Sequence, residues 1–101
     1  MESLKVRVLE FTSYKIPDGK MVKVRVDVEN DLIHDITILG DFFLHPEATL
    51  VEIEEGLVGT RLQEENITKV IQRVLDTHGA VLIGASARDL AKAIMCARRT
   101  R

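Results

Sequence analysis

The sequence predicts an α+β fold: a two-layer domain in which a three-stranded antiparallel sheet, a β-meander, is covered on one face by about three helices. Three observations predict it. Apolar and charged residues alternate with period two through the first part of the chain, two clusters of turn residues interrupt that alternation, and from Pro46 onward the apolar spacing becomes three to four. Consecutive strands joined by tight turns pair antiparallel, because parallel neighbours need a crossover of roughly a dozen residues or more. Helices apolar along one stripe then bury that stripe against the apolar face of the sheet.

The first strand is expected at residues 4–8, where Leu4, Val6 and Val8 share one face and Lys5 and Arg7 the other. Leu9 and Phe11 then fall on the charged side, so either the strand bulges near Glu10 or the outer face is partly covered. Pro17-Asp18-Gly19 is turn chemistry: proline presets its dihedral, aspartate bonds the local backbone and glycine accepts positive φ. A second strand is expected from Lys20, with Val22, Val24, Val26 and Val28 on one face and Lys23, Arg25 and Asp27 on the other. Glu29-Asn30-Asp31 supplies the next turn, and a third strand at residues 32–39 runs into Gly40-Asp41. On this alternation His34 shares a face with Ile36 and Ile38.

Pro46 suits the first position of a helix, and Glu47 suits its positive end. Leu50, Ile53 and Leu57 mark its stripe, and Gly56 or Gly59 stops it. Thr60 and Gln63 have capping-box spacing ahead of a second helix whose buried face is Ile67, Val70, Ile71, Val74 and Leu75, ending at His78-Gly79. Residues 80–83 are an apolar run that finishes a turn, forms a brief strand or plugs the core. Ser86 and Asp89 again have capping-box spacing. Leu90, Ala91, Ile94 and Ala97 form the buried face of the last helix, whose C-terminal end carries Arg98, Arg99 and Arg101.

The 101 residues make one domain, residues 1–101, with surface to spare for a partner. A formal net charge of -2 argues against nucleic acid as the main ligand. No apolar run approaches the length of a membrane span and no leader follows Met1, so the chain reads as cytoplasmic and not membrane-bound. Cys96 stands alone, which excludes a disulfide framework and an iron–sulfur site built on several cysteines.

No catalytic, cofactor or metal site emerges. Glu52, Glu54, Glu55, Glu64 and Glu65 are expected on solvated helix faces, whereas acid–base work needs a carboxyl shifted by burial. His34, His45 and His78 are too far apart in sequence for a helix-borne metal site, and Cys96 has no activating base beside it. Gly79 and Gly84 have the spacing of a phosphate loop, but Ala85-Ser86 stands where the lysine is required.

What remains is a candidate partner interface. If the first two strands pair, Lys5, Arg7, Lys23 and Arg25 crowd onto one outer face, which is either a solvated face or a basic docking face for an acidic partner. Asp41 either closes the junction as an Asx-turn or contacts a partner. Phe42 and Phe43 are adjacent and point apart, so one is expected in the core and the other near the surface.

Gly40-Asp41-Phe42-Phe43 followed by Pro46-Glu47, and preceded by Asp18-Gly19-Lys20-Met21-Val22-Lys23-Val24, resembles the C-terminal accessory domain of lipoate-protein ligases. Glu54-Glu55-Gly56-Leu57-Val58-Gly59 and Ile83-Gly84-Ala85-Ser86-Ala87-Arg88-Asp89-Leu90-Ala91 occur in similar order there, so the resemblance covers nearly the whole chain. It implies a small α+β domain with no active site of its own. In that family a larger catalytic domain makes lipoyl-adenylate from ATP and lipoate, then passes the lipoyl group to a lysine of a lipoyl domain or of the H protein. ATP, magnesium and lipoate are thus implied for a complex rather than for this chain alone. A chain starting at its own methionine is expected to be the separate accessory subunit of a split ligase, active only as a heterodimer with the catalytic subunit. Lys20 is then either an ordinary turn lysine or one that reaches a phosphate at the interface. The alternative is a stand-alone adaptor or regulatory module of similar fold with no role in lipoylation.

Overall fold

The computed structural model describes residues 11–17 and 19–98. The strand expected at residues 4–8, the choice near Glu10, Asp18, Arg99 and Arg101 lie outside the described residues. Within them, β1 (Thr12–Lys15), β2 (Met21–Glu29) and β3 (Leu32–Gly40) form an antiparallel sheet in that order. They are followed by β4 (Phe43–His45), α1 (Thr49–Leu57), α2 (Glu64–Thr77), β5 (Val81–Ile83) and α3 (Ala87–Arg98), with β4 and β5 paired in a ribbon of their own.

The meander stands, but the strand joined to β2 by the proline–glycine turn is Thr12–Lys15. Its four residues carry only Thr12 and Tyr14 toward the inside, too weak an alternation to announce a strand. The second turn is a two-residue hairpin in which Asn30 and Asp31 have φ of 54° and 67°. Positive φ at both central positions suits the right-handed twist of the flanking strands, and asparagine and aspartate tolerate it best after glycine.

One irregularity reassigns a face. Asp27 pairs with Asp35 but Val28 pairs with Ile33, so His34 is an extra residue on β3. A bulge of one residue exchanges the faces of everything beyond it. Ile33, Ile36 and Ile38 therefore all enter the core, whereas His34, expected on their face, is exposed. Its Nδ1 lies 3.6 Å from Glu29 Oε1.

Val22, Val24 and these three isoleucines meet the helices. α3 crosses β1 and β2, α1 runs along β3, and α2 packs against both helices through Ile67 and Ile71. Gly56 does not end α1: it lies inside that helix, where an added Cβ would sit 3.4 Å from Val74 of α2. The helix starts one turn later than Pro46, because the carbonyls of Pro46, Glu47 and Ala48 accept from the N–H groups three residues on, a tighter turn that leads into Thr49. Thr60 likewise does not cap α2, which begins after Gln63; the Thr60 hydroxyl donates back to the Gly56 carbonyl at 3.3 Å. Ser86 and Asp89 do form a capping box: the Asp89 N–H donates to Ser86 Oγ at 3.1 Å and the Ser86 N–H donates to Asp89 Oδ2 at 3.0 Å.

Among the described residues β3 is one of the two outer strands of the sheet, and part of its edge is closed. The Ile33 N–H donates to the Thr60 carbonyl at 2.9 Å, the Gly59 N–H to the Ile33 carbonyl at 2.7 Å, and the Ile38 N–H to Glu54 Oε2 at 2.8 Å. Glu54, expected among solvated acids, thus pins α1 to β3 by a charge-assisted bond. Replacing it by alanine strands a backbone donor; Glu54→Ala is expected to cost about 1–3 kcal/mol in urea unfolding, with Glu54→Gln keeping most of the stability. Ser86→Ala is expected to lose about 1 kcal/mol with no change in the denaturant slope.

Candidate partner interface

The two phenylalanines of the Gly-Asp-Phe-Phe stretch separate as the chain leaves the sheet. Phe42 is half-buried against the core, and Phe43 is 54% exposed at the start of β4. Gly40 makes room for Phe42: a Cβ built there would fall 2.6 Å from its ring and 3.0 Å from the Met21 carbonyl oxygen. That oxygen also accepts the Asp41 N–H at 3.0 Å, which ties the junction to the start of β2. The Asp41 side chain is exposed.

A second glycine brings the β1–β2 turn to the same place. Gly84, with φ of 96°, lies where a Cβ would be 3.5 Å from Phe42 Cα and 3.4 Å from Lys20 Cε. The stem of Lys20 therefore rests beside Phe42 and the end of β5. Of the seven residues singled out from sequence, Lys20, Gly40, Asp41, Phe42 and Phe43 gather at this end of the sheet.

Lys23 and Arg25 lie on the outer face of β2. On the flanking strands β1 places Ser13 opposite Lys23 and β3 places Leu39 on its other side. Arg25 faces Thr37, donating to its hydroxyl at 2.9 Å, and stands 5.5 Å from the centre of the Phe11 ring. Lys5 and Arg7 lie outside the described residues.

Sequence reasoning missed the partner strand of Phe43. In the β4–β5 ribbon Phe43 is opposite Ile83 and His45 opposite Val81, while Leu44 and Leu82 turn inward. The rings of Phe43 and His45 stack with centroids 6.3 Å apart. Each strand has three residues, and Val81-Leu82-Ile83 is apolar throughout, so no alternation reveals which side faces water.

None of the described aspartates, glutamates or histidines is buried; the polar residue buried in the core is Thr49. Arg88 donates to Glu64 and Glu65 at 3.1 and 3.3 Å, and the hydrogen bond to Glu64, then that to Glu65, raises its pKa further into the charged range. This exposed cluster, with Lys92 3.6 Å from Glu64, ties α3 to α2. Among the described residues no three His, Cys, Asp or Glu side chains gather as a metal site. Cys96 is half-buried in α3. A cavity of about 250 Å³ between the β2–β3 turn and Val58 is open and shallow. No described helix is long and apolar enough to cross a membrane.

The fold is that of a small α+β domain whose β4–β5 ribbon carries exposed apolar side chains. The chain belongs to the family of bacterial lipoate protein ligase C-termini, whose model matches residues 12–94. It is similar to lipoate-protein ligase A subunit 2 of Thermoplasma acidophilum, 31% identical over 74 residues that make up 73% of this chain and 76% of that relative. It is also similar in structure to a chain from a structural analysis of an archaeal lipoylation system, a bi-partite lipoate protein ligase and its E2 lipoyl domain from the same organism, with a TM-score of 0.71, 26% identity, and 86% of this chain and 94% of that one covered.

The Phe42–Gly40 contact makes a direct prediction. Gly40→Ala is expected to destabilise by about 1–3 kcal/mol through overpacking, and most of that loss should vanish in a Phe42→Ala background, as a double-mutant cycle in thermal unfolding would measure. Phe43→Ala is expected to stay within about 0.5 kcal/mol of the parent.

Proposed function

We propose that this chain is the accessory subunit of a split lipoate-protein ligase: it pairs as a heterodimer with a catalytic subunit in the cytoplasm and supports formation of lipoyl-adenylate from ATP and lipoate. The catalytic subunit then delivers the lipoyl group to a lipoyl domain or H-protein acceptor. The observation that carries this reading is the family match across residues 12–94, joined to similarity with a relative that is itself named a ligase subunit.

Physically, such a subunit lowers a barrier without touching the reacting atoms. Catalytic loops that close over an adenylate lose conformational freedom and exclude water on closing. A partner that binds the closed arrangement more tightly than the open one shifts the population toward it by that difference in affinity.

The test mixes this chain with the catalytic polypeptide and follows lipoate-dependent release of pyrophosphate. Adenylate formation is expected to rise several-fold or more on addition of the chain, and the chain alone is expected to give none. Transfer from preformed lipoyl-adenylate should depend on it less. An equal rate of adenylation with and without the chain would sink the reading.

A further inference from the structure

We propose that the outer face of the β4–β5 ribbon, with Phe43, Val81 and Ile83 at its centre and Lys20 at its rim, is the surface that docks the catalytic polypeptide. This rests on the reading above, that such a polypeptide is the partner. Strands with one face in water ordinarily carry polar residues there. Here three of the four outward positions are apolar and stand 54%, 49% and 58% exposed, and the ring of the fourth, His45, runs parallel to that of Phe43 with centroids 6.3 Å apart. Register makes them neighbours: Phe43 is directly across from Ile83, and Val81 from His45. Single exposed apolar side chains need no explanation, whereas a contiguous set with a polar rim marks an interaction surface. The other exposed apolar residues are dispersed: Phe11 is met by Arg25, Leu39 stands opposite Lys23 on β3, Val51 stands on α1, and Leu32 and Val58 border the shallow cavity.

The occupant follows from shape and charge. A two-stranded ribbon is not a concave pocket, so a small ligand would remain largely in water. Three apolar side chains cover less than the roughly 800 Å² a side of a stable protein interface, so the contact extends onto the rim. That rim is cationic at the Ile83 end. Lys20 is held there by its stem against Gly84, and Lys15 and Lys23 project from the outer face of the adjoining hairpin. None of the three lysines forms an ion pair among the described residues, whereas Glu52, Glu54, Glu55, Glu64 and Glu65 lie on α1 and α2. Exposed Asp41 lies between the ribbon and β3. The complementary surface is therefore a polypeptide with an apolar patch and carboxylates placed to meet Lys20, the charges setting orientation and association rate.

The experiment titrates the catalytic polypeptide with the full chain and with Val81→Glu, Ile83→Glu, Lys20→Glu and Leu32→Glu, following heat of binding, thermal melting and the sedimentation of each chain alone. The ribbon variants are expected to weaken binding by at least roughly tenfold at an unchanged melting temperature, with Leu32→Glu binding like the parent. Lys20→Glu is expected to slow association and flatten its salt dependence. If a glutamate variant melts early, the Val81→Thr, Ile83→Thr pair, which keeps β-branched side chains, carries the same readout. Parental affinity in the ribbon variants, with a normal parental complex, overturns this docking face and leaves the ligase reading standing. No complex with the parent chain overturns both. A parent chain that dimerises alone, with ribbon variants monomeric and unimpaired toward the catalytic polypeptide, assigns the face to a second copy and also overturns the proposal.

Discussion

The rest of the structure depends on the contact between the Phe42 ring and the bare α-carbon of Gly40. At this point the chain must leave a three-stranded sheet and begin a separate ribbon, and a backbone that abandons its ladder has to satisfy its polar groups elsewhere. The Met21 carbonyl takes the Asp41 N–H, Phe42 folds back over Gly40, and Gly84 lets Phe42 and Lys20 approach from the far side. Three segments distant in sequence thus converge on one half-buried ring. With Phe42 turned inward, strand alternation turns Phe43 outward, so the exposed face of the ribbon is a geometric consequence of how the core is closed.

A similar economy governs the far edge of the sheet. β3 has β2 on one side only, and an unpaired edge invites other strands. The loop after α1 pairs with the beginning of the strand and Glu54 caps Ile38, so part of this edge is closed within the domain. The Glu64–Arg88–Glu65 cluster adds less, since exposed ion pairs gain little in high dielectric. What holds the helices is apolar burial: Ile53, Leu57, Ile67, Ile71, Leu90 and Ile94 are almost wholly withdrawn from water.

The parts legible in the sequence were those with a long period or a specific local chemistry. Val22 to Val28 announced β2, Ile67 to Leu75 announced α2, and Ser86 with Asp89 announced the start of α3. Three features were hidden for identifiable reasons. The extra residue at His34 cannot be read from alternation, because a bulge is defined by its partner strand and not by its own sequence. Thr60 and Gln63 have the right spacing, yet the loop carrying them is pulled into pairing with β3, so α2 starts later. The ribbon needs two three-residue strands separated by more than thirty positions to find one another, a tertiary choice that no local window contains. Of the candidate interface, Lys20 and residues 40–43 were visible through turn chemistry and resemblance, whereas Val81 and Ile83 became visible only once Leu82 was seen to face inward.

In the proposed role the domain acts on a partner's chemistry through that partner's conformation. The size of that influence is set by a difference in affinities: each tenfold preference for the closed partner contributes about 1.4 kcal/mol toward closure, and equal affinity for both states contributes nothing however tight the complex. A docking surface that serves this purpose must be rigid, since its own ordering would subtract from the preference. The ribbon meets that condition in an unusual way. Two isolated strands are marginal in water, yet here Leu44 and Leu82 fasten them to the core and Gly84 seats them against Phe42. The exposed apolar face is therefore presented by an element whose shape is determined from behind.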